Sequence, residues 1–321
     1  MKAVFIEQHG DASVLQYGDL PKPEPAAGQV LVKLAAAGVN FIDVYQRTGL
    51  YKLPFPAVLG MEGAGTVETL GEGVAGLRPG DHVAWAMSRG SYAEYAVVPS
   101  HFLVKVPAGL ELRQAAAAML QGMTAHYLTH STFPIEPGHT ALVHAAAGGT
   151  GRLISQMIKL RGGRVIGTAG TREKADVARA AGAADVILYR EQDVVAEVKR
   201  LTDGKGVDVV YDGVGDATFM QSIDSLKPRG MMALFGQSSG PVKPVDPSLL
   251  QNKGSLFLTR PTLGNYASAD EIKWRSSDVL GWILNKKLDL LIERVYPLAD
   301  AAQAQTDLES RKTMGKLVLT I

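Results

Sequence analysis

The chain reads Thr140-Ala-Leu-Val-His-Ala-Ala-Ala-Gly-Gly-Thr-Gly151 at the point where a short apolar run breaks into a glycine-rich turn. Ile154, Met157 and Ile158 follow at helical spacing, so this stretch predicts a strand, a tight turn and then a helix. Glycine in such a turn lets backbone N–H groups and the start of the helix approach a diphosphate closely. The stretch therefore predicts a dinucleotide-binding site.

Strands and helices continue to alternate after this turn. Gly162-Gly163 ends the first helix, and the pattern of apolar runs then predicts further elements. The predicted strands are 164–168, 185–189, 207–212, 231–236 and 255–259, and the predicted helices are 174–181, 193–201 and 217–226. Together with the first strand, they predict an α/β fold with the doubly wound parallel sheet of the Rossmann type.

The end of the second predicted strand indicates which dinucleotide binds. An NAD site usually has an acid there, which binds the free ribose hydroxyls and would repel a 2′-phosphate. This chain instead reads Gly167-Thr-Ala-Gly-Thr-Arg-Glu-Lys174, with Thr168 in place of the acid and two cations close behind. The pattern favours NADPH over NADH. In the alternative interpretation, Arg172 and Lys174 only meet solvent at the start of a helix.

Composition limits the class of protein. A chain of 321 residues with 46% hydrophobic content has the length of about two domains of roughly 150 residues each. Its 33 basic and 32 acidic residues argue against a nucleic-acid or membrane partner. No apolar run is long enough to predict a signal peptide or membrane span, so a cytoplasmic protein is expected. The absence of cysteine excludes disulfides, thiolate metal sites and cysteine nucleophiles.

The segments on either side of the sheet have a different pattern. Short β-rich runs at 30–34, 65–69, 82–85 and 92–98, separated by Gly and Pro, predict a compact barrel or sandwich. After the sheet come an apolar helix that includes Val279, a run at 292–296, a helix at 298–310 and a closing strand at 316–321. This tail is expected to return to the first domain, because a finished six-stranded sheet has no place for it. The cofactor is then expected in a cleft between two lobes.

Five longer motifs are spread over the chain. They are Gly38-Val-Asn-Phe-Ile-Asp-Val-Tyr-Gln-Arg-Thr-Gly-Leu-Tyr51, Leu59-Gly-Met-Glu-Gly-Ala-Gly-Thr-Val67, His144-Ala-Ala-Ala-Gly-Gly-Thr-Gly151, Gly167-Thr-Ala-Gly-Thr171 and Lys253-Gly-Ser-Leu-Phe-Leu-Thr-Arg-Pro261. In combination they resemble the NADPH-dependent quinone oxidoreductases, the zeta-crystallin-like, zinc-free branch of the medium-chain dehydrogenase/reductase superfamily. The resemblance implies a GroES-like β-barrel catalytic domain at 1–124, a Rossmann NADPH-binding domain at 125–265, a return of 266–321 to the catalytic domain, and a homodimer.

The same comparison indicates which chemistry is missing. Zinc alcohol dehydrogenases of this superfamily carry Cys at the position of Asn40 and His at that of Met61, beside Glu62. Catalytic zinc needs about three protein ligands, and only Glu62 of this set remains, so no metal is predicted. Without a Lewis acid the acceptor must already be electrophilic. The resemblance thus implies hydride or single-electron transfer from NADPH to quinones. The alternatives are an NADPH-dependent reductase of enones or enoyl thioesters, and a non-enzymatic NADPH-binding scaffold.

The resemblance also assigns site residues. Asn40, Asp43, Tyr45 and Tyr51 are expected around the nicotinamide and the acceptor, with Tyr45 as a candidate proton donor. The alternative for Tyr45 is a hydroxyl that only satisfies a buried backbone group. Lys174 is expected to pair with the 2′-phosphate and Tyr189 to lie near the adenine. The full cofactor set is Tyr45, Tyr127, Gly148, Gly149, Thr150, Gly151, Thr168, Gly170, Thr171, Lys174, Tyr189, Val214, Phe235, Gly236, Gln237, Ser238, Leu258, Thr259, Arg260 and Arg311.

Four further features permit other interpretations. His126 and His130 are spaced to share one helix face, but no third metal ligand accompanies them, which favours a surface or interface pair. Gly236-Gln-Ser-Ser-Gly240 matches the nucleophile-elbow pattern of hydrolases, yet Pro241-Val-Lys-Pro244 follows instead of a helix, which favours a cofactor contact. Residues 256–260 form a predicted edge strand that either a second copy or a loop covers. Arg152, just after the glycine turn, either assists phosphate binding or meets solvent.

Overall fold

The computed structural model describes all 321 residues, and they form two compact units. Unit 1 comprises Met1–Met123 and Ala267–Ile321, and unit 2 comprises Thr124–Tyr266. The first boundary falls inside the helix α2 (Leu112–Tyr127). No helix has the length and apolar character needed to cross a membrane.

Unit 1 is built mainly of antiparallel strands. These are β1 (Lys2–Ile6), β2 (Gln16–Asp19), β3 (Gln29–Val39), β4 (Ala57–Val58), β5 (Glu62–Leu70), β6 (His82–Ala86), β7 (Tyr95–Pro99), β8 (Val104–Lys105), β15 (Ile292–Pro297) and β16 (Lys316–Thr320). One sheet has the order β15-β16-β3-β5-β6-β8, and a smaller sheet has the order β2-β1-β4. The helices of this unit besides α2 are α1 (Phe41–Thr48), α8 (Ala269–Leu284) and α9 (Ala301–Glu309).

The long strand β3 bends the larger sheet. Its first half pairs with β7 and its second half with β16, while β5 pairs along nearly its whole length. Register shifts in the β3–β5 ladder fall between Leu31 and Val32 and between Leu34 and Ala36. Such bulges sharpen the twist of a strand and allow it to change partners. The apolar side chains of these strands enclose one core, which includes the fully buried Trp85.

Unit 2 is a six-stranded parallel sheet with helices between its strands. The strands are β9 (Thr140–Val143), β10 (Arg164–Ala169), β11 (Asp185–Leu188), β12 (Val207–Asp212), β13 (Leu226–Leu234) and β14 (Phe257–Thr259). The helices are α3 (Gly149–Leu160), α4 (Arg172–Ala180), α5 (Val194–Leu201), α6 (Phe219–Ser225) and α7 (Ser248–Asn252). The order β11-β10-β9-β12-β13-β14 is doubly wound and reverses between β9 and β12. This confirms the predicted Rossmann sheet, and ligands bind such sheets outside the carboxyl ends of the strands at the reversal.

Several predicted boundaries differ from the structure, and two of the differences have identifiable reasons. The helix predicted at 217–226 begins only at Phe219, because side chains hold the residues before it in a loop: the Ser239 hydroxyl accepts from Ala217 N, and Thr218 bonds to Asp212. The strand predicted at 255–259 begins at Phe257. Ser255 has a positive φ of 56°, which an extended strand does not accommodate.

Candidate cofactor site and active site

The glycine-rich turn between β9 and α3 has the geometry of a diphosphate cradle. Gly148 is the N-cap of α3 and provides no side-chain cap, so the first N–H groups of this helix face outward without an intrahelical partner. Ala145 has a left-handed φ of 50°, and a Cβ on Gly151 would overlap the Ala145 carbonyl. The turn thus needs glycine at position 151, and its free N–H groups suit an anionic ligand.

Thr168 supports this turn from inside the unit. Its side chain is only 1% exposed, and its hydroxyl lies 3.3 Å from Ala145 N and 3.1 Å from His144 Nδ1. The backbone carbonyl of Thr168 also accepts from Ala146 N. The hydroxyl is therefore engaged within the protein behind the turn, and the expected contact of Thr168 with the cofactor stays a prediction.

A second group of predicted cofactor residues meets where β10 and β11 end. A Cβ on Gly170 would lie 2.6 Å from the Tyr189 hydroxyl, so glycine is what lets this ring approach. The Thr171 hydroxyl accepts from Lys174 N and caps the start of α4, so Lys174 lies in the first turn of that helix. Tyr189 is 49% exposed. The same Cβ would lie 3.5 Å from Arg190 Nε, a cation that the sequence-based prediction missed although it directly follows Tyr189.

The ends of β12 and β13 bring a third predicted group together. Ser238 N donates to Gly213 O at 3.2 Å, and Ser239 N donates to Val214 O at 2.7 Å. These bonds tie residues 235–240 to residues 213–215, so Val214, Phe235, Gly236, Gln237 and Ser238 share one edge of the sheet. No helix follows Gly240, because the next one begins at Ser248. The segment therefore lacks the strand-to-helix geometry of a hydrolase nucleophile elbow.

The remaining sequence-predicted residues of unit 2 are more dispersed. Tyr127 is buried with its ring stacked on Tyr266 at a centroid distance of 4.5 Å. Leu258 and Thr259 lie in β14, and Arg260 follows it. Arg152 is buried, and its Nη1 donates to Val177 O of α4, so its side chain does not meet solvent.

The two spaced histidines form a stacked pair. The rings of His126 and His130 lie 4.0 Å apart at an angle of 11°, and His130 Nδ1 lies 3.1 Å from the His126 carbonyl. No group of three or more His, Asp or Glu side chains in the chain is arranged to hold a metal ion. The pair is accordingly a packing feature of the helix.

In unit 1, the structure separates the four predicted active-site residues into two kinds. Tyr45 of α1 and Tyr51 contact each other edge to face at 5.5 Å, and Tyr51 N donates to Tyr45 O. Tyr51 is 39% exposed, and its neighbour in the chain, Leu50, is exposed as well. Asn40 and Asp43, in contrast, are buried. Burial thus separates Asn40 and Asp43 from the exposed Tyr51, and the expected places of all four around the nicotinamide and the acceptor stay a prediction.

Asn40 belongs to a buried ionic network. Lys316 and Glu62, both 0% exposed, form an ion pair. Lys316 Nζ also donates to Asn40 Oδ1 at 2.7 Å, and Asn40 Nδ2 donates to Glu62 Oε1 at 2.7 Å. The second carboxylate oxygen of Glu62 accepts from Leu120 N at 2.6 Å. Charges this deep are retained only when paired and hydrogen-bonded, and here every partner is a protein group.

Asp43 lies beside this network. Its Oδ2 accepts from Asn40 N and from the Tyr92 hydroxyl, each at 2.9 Å, whereas its Oδ1 has no hydrogen-bond partner. Burial raises the pKa of Asp43 from an ordinary 3.8 to about 7, and the bonds from Asn40 and Tyr92 and the charge of Lys316 only partly oppose this. Asp43 therefore titrates in the neutral range while it holds the start of α1.

Two protein families match the chain. Residues 26–108 match the alcohol dehydrogenase GroES-like domain, and residues 149–269 match the family described as zinc-binding dehydrogenase. The latter description raises the question of whether the residues present suit zinc. They do not, because Met61 Sδ accepts from Gln46 Nε2 and the Glu62 carboxylate is paired with the Lys316 ammonium. Zinc needs about three N, O or S ligands, and a cation would meet the positive charge of Lys316.

Dialysis of the purified protein against a zinc chelator is expected to leave its thermal midpoint unchanged. No side-chain set in the chain binds a structural or catalytic metal, so no folding free energy comes from one. The measurement is a thermal melt before and after dialysis, with zinc quantified by mass spectrometry. A lowered midpoint that added zinc restores would contradict the prediction.

Full-length relatives complete the comparison. The chain is 43% identical to a quinone oxidoreductase of Pseudomonas aeruginosa over 99% of both chains, and 38% identical to a 2-haloacrylate reductase of a Burkholderia species over 99% of this chain and 98% of the relative. It superposes on the crystal structure of an Escherichia coli quinone oxidoreductase complexed with NADPH with a TM-score of 0.98, at 40% identity over both full chains. The chain therefore belongs to the quinone oxidoreductase family of the medium-chain dehydrogenase/reductase superfamily.

Proposed function

We propose that this protein is an NADPH-dependent quinone reductase that works without a metal. The observation that carries the proposal is the buried Lys316–Glu62–Asn40 network. It places an ammonium ion, already bound by protein groups, among the residues where zinc enzymes hold their metal. A buried ammonium cannot coordinate an acceptor oxygen, so the acceptor must be electron-poor by itself. A quinone meets this condition, because reduction makes it aromatic.

The residues of unit 2 fit NADPH. The uncapped start of α3 suits the diphosphate, and the group of Gly170, Lys174, Tyr189 and Arg190 suits the adenosine end with its 2′-phosphate. When bound, NADPH supplies the hydride or electrons. The contacts expected for Tyr45, Tyr127, Leu258, Thr259, Arg260 and Arg311 belong to this proposal.

Lys174→Ala is expected to weaken NADPH binding by about 10- to 100-fold, as the loss of a charge-assisted bond to phosphate implies, and NADH binding by less than about twofold. The reason is that only NADPH carries the 2′-phosphate. Fluorescence titration with both cofactors measures the two dissociation constants. Glu173→Ala, at the adjacent exposed position of α4, is the matched control. Equal losses for NADPH and NADH in Lys174→Ala would refute the phosphate role.

In unit 1, Tyr45 and Tyr51 are the proposed acceptor contacts. Their edge-to-face rings, next to the exposed Leu50, form an apolar and aromatic surface that suits a flat acceptor. The Tyr45 hydroxyl is the proposed proton donor to the reduced oxygen. Asn40 and Asp43 are positioning residues in this proposal, because they are buried and hold the first turn of α1.

A second candidate function is the reduction of activated alkenes. It is favoured by the similarity of this chain, over nearly its whole length, to a protein named 2-haloacrylate reductase. An alkene conjugated to a carbonyl or carboxylate is also electron-poor and needs no bound metal. The same aromatic surface and proton donor serve either acceptor.

The experiment that separates these functions follows NADPH absorbance with a small benzoquinone, a naphthoquinone, an enone and an enoyl thioester under identical conditions. A higher kcat/KM for the quinones supports the proposed function. A higher value for the enone or thioester moves the assignment to alkene reduction. Tight NADPH binding without oxidation by any of the four would overturn both.

The proposal includes a cytoplasmic homodimer. The edge strand β14 exposes its backbone and the Phe257 ring, which is 57% exposed. Exposed apolar sheet edges in proteins are usually paired or covered. A second copy added at this edge would continue the sheet, and light scattering of the purified protein measures the resulting mass.

A further inference from the structure

A chain of buried hydrogen bonds crosses unit 2 beneath the glycine-rich turn. His144 follows β9 directly and is buried, with Nδ1 3.1 Å from the Thr168 hydroxyl of β10 and Nε2 3.0 Å from the Ser222 hydroxyl of α6. Ser222 in turn donates to Asp212 Oδ2 at 2.7 Å, at the end of β12. This chain of hydrogen bonds therefore joins the carboxyl ends of three neighbouring strands and one helix.

Each end of this chain holds a loop that carries proposed cofactor contacts. At one end, the Thr168 hydroxyl accepts from Ala145 N, in the left-handed residue that opens the glycine-rich turn. At the other end, Asp212 Oδ1 accepts from Val214 N at 2.7 Å and from Gly215 N at 3.1 Å.

The Asp212 carboxylate fixes the direction of every bond. A carboxylate only accepts, so Ser222 must donate its hydroxyl proton to it and accept from His144 Nε2–H. A neutral ring protonated on Nε2 accepts at Nδ1, so Thr168 must donate to His144 and accept from Ala145 N–H. All donors and acceptors are then satisfied in one arrangement, whereas an imidazolium would leave the Thr168 hydroxyl proton without this acceptor.

We propose that His144 is a positioning residue for the cofactor: as the neutral Nε2–H tautomer, it couples the glycine-rich turn to the 213–215 loop through Thr168, Ser222 and Asp212. Replacement of Thr168 removes the side-chain acceptor of Ala145 N, and replacement of Ser222 removes the acceptor that holds the proton on His144 Nε2. The proposal rests on the NADPH site of the proposed function but not on the identity of the acceptor. Burial lowers the pKa of His144, while the nearby Asp212 charge opposes this, which agrees with a ring that stays neutral.

The tautomer is tested directly by histidine ring ¹⁵N–¹H correlation spectra of the labelled protein without cofactor, with the His144→Gln spectrum used for assignment. We expect His144 to show a protonated Nε2 and an unprotonated Nδ1 from about pH 8 to about pH 5.5, below the ordinary histidine pKa. A protonated Nδ1, or a transition to imidazolium near pH 6.5, would overturn the proposal.

The coupling is tested by measuring the NADPH affinity of Ser222→Ala, which breaks the chain of hydrogen bonds far from the glycine-rich turn. We expect its dissociation constant to rise about five- to tenfold, as the loss of a buried hydrogen bond implies, and the His144 ring signals to shift. Ser225→Ala is the matched control, because Ser225 is a fully buried serine of the same helix whose hydroxyl bonds only to Gln221 O. This variant is expected to keep the wild-type affinity and ring signals.

Thr168 offers a second pair of variants at the other end of the chain. Thr168→Val removes the hydroxyl at nearly constant volume and is expected to weaken NADPH about tenfold, whereas Thr168→Ser keeps the hydroxyl and is expected to restore affinity to within about twofold of wild type. Equal affinities in Ser222→Ala and Ser225→Ala, or in Thr168→Val and Thr168→Ser, would show that the chain is only structural. Failure of NADPH to bind the wild type would instead refute the proposed function, since the tautomer is measured without cofactor.

Discussion

Lys316→Met is expected to lower the free energy of unfolding by about 3–5 kcal/mol. The substitution keeps the length of the side chain but removes the charge that compensates Glu62, and both residues are 0% exposed. The carboxylate then keeps its bonds from Asn40 and Leu120 but has no opposite charge nearby. Urea unfolding at neutral pH, followed by circular dichroism, measures the loss.

The double variant Lys316→Met/Glu62→Gln is the decisive control. It removes both charges at once, so most of the stability lost in Lys316→Met should return, because neutral groups cost far less to bury than an unpaired ion. Lys2→Met breaks an exposed ion pair with Asp19 and should change stability little. If the double variant were as unstable as Lys316→Met, packing around the lysine stem rather than charge pairing would explain the effect.

The parts of the structure that sequence predicts are those set by local patterns. The alternation of apolar runs and turns was sufficient to predict the six parallel strands. The register between these strands explains why the predicted cofactor residues lie close together. Ala169 pairs with Leu188 across β10 and β11, so the residues that follow each strand, Gly170 and Tyr189, come together. Motifs at the ends of neighbouring parallel strands are thus predictable in position as well as in type.

Contacts between distant segments escape this kind of analysis. Lys316 pairs with Glu62 only because β16 lies against β3, which in turn pairs with β5, and nothing in the closing strand distinguishes its lysine from a solvated one. Thr168 shows a related limit. Its residue type was noted correctly, but which side of the strand its hydroxyl faces depends on the turn that packs over it. The burial of Asn40 and Asp43 likewise depends on the distant segments that pack over them, which no local pattern shows.

Asp43 gives the second large expected effect, a dependence of stability on pH. Burial raises its pKa to about 7 in the native state, so between about pH 4 and pH 7 the native protein holds a proton that the unfolded chain releases. Because the native state binds more protons there, the stability that Asp43 contributes is present at low pH, falls as pH rises from about 4 to 7, and is lost above pH 7. At about 1.4 kcal/mol per pH unit, the loss amounts to a few kcal/mol.

Asp43→Asn should remove this dependence, since an amide resembles the protonated carboxyl and its oxygen still accepts from Asn40 N and the Tyr92 hydroxyl. The measurement is urea unfolding of both proteins between about pH 5 and pH 8.5, expressed as the difference in unfolding free energy at each pH. This difference isolates Asp43, because His144, whose lowered pKa makes stability fall toward acid pH, contributes equally to both proteins. The variant should gain on the wild type between about pH 5 and pH 7, and the difference should level off above pH 7. A difference that stays constant over this range would mean that Asp43 is ionised throughout it, and that Lys316 and the two hydrogen bonds outweigh its burial.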